Sequence, residues 1–122
     1  MSTPQRIRLV ILMICACALG GCAKSKAAAQ IELIECAGFQ SAIREWEPIY
    51  QELRNRGVQP VAIQPIPILA NAYTGKLDRT EVNARWNRGE TAGKALVEKR
   101  DAAGIAKYLK SCVGTLNGAL RG

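Results

Sequence analysis

The residues of this chain that could carry out chemistry are its cysteines and carboxylates. The sequence contains five cysteines and no histidine. Without histidine, the common Ser-His-Asp and Cys-His nucleophile systems and histidine-based zinc sites are excluded. Cys36 and Cys112 stand alone in the body of the chain and lack CxxC spacing. We therefore predict no metal site, no cofactor and no cysteine-based catalysis.

Paired glutamates offer the other route to chemistry, since glycoside hydrolysis needs two carboxyl groups at a suitable separation. Glu45 and Glu52 are seven residues apart, and Glu32 and Glu35 are three apart. The simpler interpretation is that they belong to the solvated faces of helices. We favour that interpretation and predict no catalytic residues.

The N-terminal residues have the pattern of a signal peptide. Arg6 and Arg8 supply a positive head, and residues 9–19 form an uncharged apolar core. This core is shorter than the roughly 20 residues that a membrane-spanning helix needs. We therefore assign residues 1–21 to a signal peptide and exclude them from the folded domain.

Leu19, Gly20, Gly21 and Cys22 follow this core and resemble the lipobox of bacterial lipoproteins. The resemblance implies cleavage between Gly21 and Cys22, a diacylglyceryl group on the Cys22 thiol and an acyl chain such as palmitate on its amino group. Ala23 after the cysteine resembles the residue pattern of lipoproteins that are sorted to the outer membrane. We therefore expect a lipid-anchored protein that faces the periplasm. An ordinary secretory signal or an uncleaved anchor is the alternative, and either would still export the domain.

Export also predicts the state of the last two cysteines. Cys36 and Cys112 are the thiols left once the signal peptide is removed and Cys22 is lipidated, and an oxidising compartment favours one disulfide between them. Two buried free thiols, or a disulfide to another chain, are the alternatives.

The mature chain is predicted to be a short tether followed by one small all-α domain of three to five helices. The tether is residues 22–29. Its two lysines, Lys24 and Lys26, either lie close to anionic lipid or are exposed to solvent without a partner role. The domain is residues 30–122. Its first helix runs from about residue 28 to 56, with Pro48 producing a kink, although a second helix starting at Pro48 is the alternative. The apolar face of this segment is Cys36, Phe39, Ile43, Trp46, Tyr50 and Leu53.

Residues 58–70 combine three prolines with branched apolar residues. This composition predicts an extended crossover that covers the helices and becomes helical only near its end, before Gly75. Alternatively, the segment is an exposed apolar strip for a partner. In that case its binding residues would be Ile63, Ile66 and Ile68.

Two more helical regions complete the prediction. Asp78 and Glu81 form a capping-box pattern that starts a helix over residues 79–88, and Gly89 breaks it before another helix near Ala92. Asp101 caps the last helix. Its apolar face is Ile105, Leu109, Cys112, Leu116 and Leu120.

Basic residues concentrate in the C-terminal part, where residues 76–122 hold ten Lys or Arg against five acids. This excess indicates either a solvated face or a surface that faces anionic lipid, peptidoglycan or an acidic partner. The candidate partner surface on this part of the chain is Arg79, Arg85, Trp86 and Arg88. An envelope location makes nucleic acid an unexpected ligand.

These features together predict a non-enzymatic binding or accessory module of the cell envelope, of the size found in phage, plasmid or secretion systems. Its partner would be an envelope protein or peptidoglycan. The alternatives are a small cell-wall enzyme that uses glutamates, or a phage-lysis lipoprotein similar to outer spanins. Outer spanins are the weaker match because they resemble proline-rich, largely unstructured tethers.

Overall fold

The computed structural model describes residues 25–121, which form six helices and no strand. The helices are α1 Lys26–Ile43, α2 Ile49–Asn55, α3 Pro60–Ile63, α4 Pro65–Thr74, α5 Arg79–Glu98 and α6 Ala102–Leu120. The predicted small all-α domain is therefore confirmed. Helix α1 is its centre, because α4, α5 and α6 all pack against it.

The first helix begins earlier than the sequence predicts. Ser25 caps α1, and its Oγ accepts a hydrogen bond from the Ala28 backbone N–H at 3.1 Å. Ala29, assigned above to the tether, is 2% exposed and belongs to the core. The folded domain thus includes residues 25–29, which the sequence assigned to the tether. Residues 22–24 of the predicted tether, and the predicted signal peptide at 1–21, lie outside the described residues.

Pro48 separates two helices, so the predicted kinked helix is wrong. Helix α1 ends at Ile43, a turn covers residues 44–48, and Pro48 occupies the cap position of α2. A proline within a helix would lose a backbone hydrogen bond and clash with the preceding turn, whereas at a helix start its missing N–H has no cost. Phe39, Ile43 and Leu53 are nevertheless fully buried, as their shared apolar pattern predicts.

The proline-rich segment is helical rather than extended, which corrects the predicted crossover. Pro60 opens α3 and Pro65 opens α4, so these prolines lie in first turns, where backbone N–H groups have no partner within the helix. Ile63 and Ile66 are 1% and 0% exposed. They are core residues, so the alternative that counted them in a partner surface is also wrong.

Helix α5 continues through Gly89, where the sequence predicts a break. A Cβ atom at Gly89 would overlap the Glu35 carbonyl oxygen, and one at Gly93 would lie 2.8 Å from the Phe39 carbonyl oxygen. From α1, a Cβ at Gly38 would overlap the Trp86 carbonyl oxygen in the same way. These glycines let the two backbones come into direct contact, which is why they occur inside helices despite their low helix propensity.

Helices α1 and α6 run antiparallel in a regular register. Going along α1, Ala29 lies next to Gly118, Cys36 is bonded to Cys112, and the Phe39 ring stacks on Tyr108. The Cys36–Cys112 disulfide has a Cα–Cα distance of 5.9 Å and joins residues 76 apart. The predicted pairing is thereby confirmed. Leu120 continues the predicted apolar face of α6 but is 59% exposed.

The turn between α5 and α6 contacts the turn after α1. Arg100 has a φ of 52°, an uncommon value for a residue with a side chain. Its guanidinium carbon lies 5.3 Å from the centre of the Trp46 ring. This cation–π contact joins the two turns at the end of the domain opposite Lys26.

Replacing Gly89 with alanine should destabilise the domain, because the new Cβ meets backbone atoms of α1. We expect a net loss of about 2 kcal/mol or more in the free energy of unfolding, as overpacking exceeds the gain in helix propensity. Gly114→Ala is the matched control, since nothing lies within 4 Å of its Cβ position. It should stabilise by up to about 1 kcal/mol. Urea denaturation of the oxidised protein measures both, and equal effects would contradict the packing role of Gly89.

Removing the disulfide should lower stability strongly because it closes a long loop. For a separation of 76 residues, we expect Cys36→Ala/Cys112→Ala to lose about 4 kcal/mol in urea unfolding under the chain-entropy model. A wild-type protein whose stability does not change on reduction would contradict this expectation.

Candidate functional site

A cleft of about 170 Å³ lies beside the disulfide, between α1 and α6. Polar side chains surround the two half-cystines. The lining residues are Glu32, Glu35, Cys36, Tyr108, Ser111, Cys112 and Thr115. The cleft contains the largest group of interacting polar side chains in the described part of the chain. It is therefore the candidate site.

Glu35 is the centre of charge in this cleft. Its Oε1 lies 3.3 Å from Arg85 Nη1 and 3.7 Å from Arg88 Nη1. The side chains of Glu35 and Arg85 are only 21% and 28% exposed, whereas that of Arg88 is 71% exposed. Partial burial makes the Arg85 pair stronger than an ordinary surface ion pair. Glu35 therefore belongs to a contact between α1 and α5 and not to a solvated helix face.

Tyr108 connects this ion pair to the core. Its ring stacks on Phe39 with the ring centres 3.7 Å apart, and its hydroxyl donates a hydrogen bond to Glu35. Burial, followed by the charge of Glu35 and this hydrogen bond, raises the pKa of Tyr108 to about 12. Tyr108 is therefore a neutral hydrogen-bond donor throughout the physiological pH range.

Thr115 and Glu32 form the other end of the cleft. The Thr115 hydroxyl lies 3.4 Å from Glu32 Oε2 and 3.2 Å from the Ser111 carbonyl oxygen. One hydroxyl proton serves one acceptor at a time, so the cross-helix bond and the bond within α6 are alternatives for this donor.

The glutamates considered above for hydrolysis are distributed over three places. Glu32 and Glu35 do line one cleft, but Glu35 is already engaged by two guanidinium groups and a tyrosine hydroxyl. Glu45 is exposed in the turn after α1, and Glu52 forms a surface ion pair with Arg56 at 3.8 Å. The arrangement around Glu35 suits holding α1, α5 and α6 together.

The structure divides the predicted partner residues into three groups. Arg79 and Arg88 are exposed on α5, and Ile68 is exposed on α4. Arg85 and Trp86 are partly buried, the former by Glu35 and the latter against the core. Ile63 and Ile66 are inside the core, as described above. The Glu35–Arg85–Tyr108 cluster was missed, because Arg85 and Tyr108 lie 50 and 73 residues from Glu35 along the chain, and only the i, i+3 spacing of Arg85 and Arg88 pointed to it.

Neither a metal-ligand cluster nor a membrane-spanning helix is present in the described range, residues 25–121. No group of three or more cysteine or acidic side chains in it could hold a metal ion. None of the helices described above is both long enough and apolar enough to cross a membrane. Cys22, the predicted lipidation site, lies outside this range.

Comparisons with protein-family models, curated proteins and solved structures found no match to this chain.

Removing the carboxylate at Glu35 should lower the pKa of Tyr108. In Glu35→Gln we expect a value between 10 and 12, because burial still raises it while the charge and its hydrogen bond are lost. The ¹³C shift of the Tyr108 ring, assigned by comparison with Tyr108→Phe, measures the titration. The raised pKa means that the folded state favours the neutral form of Tyr108. The contribution of Tyr108 to the free energy of unfolding should therefore be complete below pH 10 and decline between pH 10 and about 12. An unchanged value in Glu35→Gln would refute the contact.

Proposed function

We propose that this protein is a lipid-anchored component of the bacterial cell envelope that works as a non-enzymatic binding or accessory module. It is attached through acyl chains at Cys22 to the outer membrane and faces the periplasm. Its partner is another envelope component, an envelope protein or peptidoglycan.

The Cys36–Cys112 disulfide is the observation that carries this proposal. Both half-cystines are buried, at 6% and 1% exposure, in the contact between α1 and α6. Such bonds persist in exported proteins and are rare in the cytosol of most organisms. This supports interpreting residues 1–21 as an export signal and Cys22 as part of a lipobox.

The charge on α5 supports the binding role. Arg79 and Arg88 are exposed on this helix, and the Arg88 side chain is 71% exposed although its Nη1 lies 3.7 Å from Glu35 Oε1. Exposed guanidinium groups bind carboxylates and phosphates with good geometry. An acidic protein surface or an anionic cell-wall polymer matches this chemistry.

Hydrolysis of the cell wall is the competing proposal, because Glu32 and Glu35 line the same cleft. The two cations on Glu35 favour a structural role for it instead. An outer-spanin-like role is weaker still, since the proline-rich segment is folded into α3 and α4 as part of the core.

Intact mass spectrometry of the protein from membranes tests the anchor. We expect a chain that begins at Cys22 and carries diacylglyceryl and acyl groups, while Cys22→Ala yields an unlipidated periplasmic or uncleaved form. Full-length, unmodified wild-type protein in the cytosol would refute the proposal.

Zymography and crosslinking distinguish binding from catalysis. We expect no cleared band on peptidoglycan gels, and reproducible photocrosslinking of one envelope component from a probe at Arg88 in the lipidated protein. A probe at Lys107, which is exposed on α6, is the control position. A cleared band that is lost in Glu35→Gln would instead favour the hydrolase.

A further inference from the structure

The start of α1 and the end of α6 meet at one end of the domain. The antiparallel register places Lys26 beside Arg121, just as Ala29 lies beside Gly118. A groove of about 450 Å³ opens between the two helices at this end. Its floor is made of small residues, including Ala29, Gly114 and Gly118.

The chemistry of this end is cationic and partly apolar. Lys26 and Arg121 both line the groove and are exposed, and no carboxylate side chain is among its described lining residues. Leu120, next to Arg121, is an exposed large hydrophobic residue at 59%. Two cations beside an exposed leucine form a surface that complements anionic headgroups over acyl chains.

The length of chain before α1 determines how close this surface lies to an anchor. Only three peptide steps separate Cys22 from Ser25, the cap of α1. Even when fully extended, three residues span no more than about 11 Å. A lipid on Cys22 therefore holds the first turn of α1 next to the membrane surface, whatever the conformation of the intervening residues.

We propose that this end of the domain docks on anionic phospholipid headgroups of the membrane that carries it. The inference rests on the proposed lipid anchor and adds an orientation to it. Lys26 and Arg121 donate hydrogen bonds to headgroup phosphates, and Leu120 enters the interface. Helix α1 then points away from the membrane. The α5–α6 turn and the exposed Val61 and Ile68 lie toward the end of the domain that is distal to the membrane.

Headgroup photocrosslinking tests this orientation in the mature, lipidated protein. The protein is reconstituted into phosphatidylcholine vesicles containing 30% phosphatidylglycerol, part of it with a photoactivatable headgroup, and crosslinked peptides are mapped by mass spectrometry. We expect crosslinks to concentrate in the first turn of α1 and the last turn of α6. In K26E/R121E their yield there should fall about fivefold or more, because each cation near an anionic surface contributes this order of affinity.

The matched control is K99E/K107E, which makes the same change in net charge at the distal end of the domain. Lys107 lies toward that end because it adjoins Tyr108, whose ring stacks on Phe39. This control should keep the wild-type pattern, and K26Q/R121Q should give an intermediate loss. All variants should float with the vesicles, because the acyl chains hold them, and their circular dichroism should match wild type.

Two results would overturn the inference, and they differ in what they imply. Protein that floats normally but crosslinks evenly, or mainly through residues 60–68, would refute the orientation while leaving the anchor intact. Wild-type protein that fails to float, like Cys22→Ala, would refute the anchor and the orientation together.

Discussion

The direct contact between the backbones of α1 and α5 is the constraint on which the other features of this domain depend. Gly38, Gly89 and Gly93 remove the Cβ atoms that would otherwise hold the two helices apart. Because Gly89 rests on the Glu35 carbonyl, the arginines on the neighbouring turn of α5 come within reach of the Glu35 carboxylate. The ion pair is thus a consequence of close packing, and any side chain at Gly89 would move it as well as the helix.

The third helix of this arrangement is held by different forces. Helix α6 contacts α1 through the disulfide and the stacked rings of Phe39 and Tyr108, and the hydroxyl of Tyr108 reaches the same carboxylate that α5 approaches from the other side. One glutamate therefore interacts with two of the three helices that pack against α1. These contacts compensate for the partial burial of the Glu35 carboxylate, whose side chain is 21% exposed.

The sequence allowed correct prediction wherever the physical cause was local. Asp78 and Asp101 do accept hydrogen bonds from Glu81 and Gly104, and the helix end predicted near residue 56 is that of α2, which Gly57 follows with a φ of 83°. The disulfide is a long-range contact, and its prediction followed instead from the export signal and from Cys36 and Cys112 being the two thiols left to pair. The errors arose where the same residue suits two structures: a proline ends one helix or begins another, and Gly89 breaks a helix or permits close packing, depending on what lies opposite. The Glu35 cluster joins distant positions, which no local pattern reveals, and Cys22 remains a prediction because it lies outside the described residues.

The position of the disulfide also determines how the fold would respond to a pulling force applied at its two ends. Ser25 is eleven residues from Cys36, and Arg121 is nine residues from Cys112. With the bridge intact, tension passes from α1 to α6 through the sulfurs, and extension is limited to roughly 70 Å instead of the more than 300 Å of the open chain. The segment between the cysteines, including the proline-started helices and α5, lies outside the covalent path of the load.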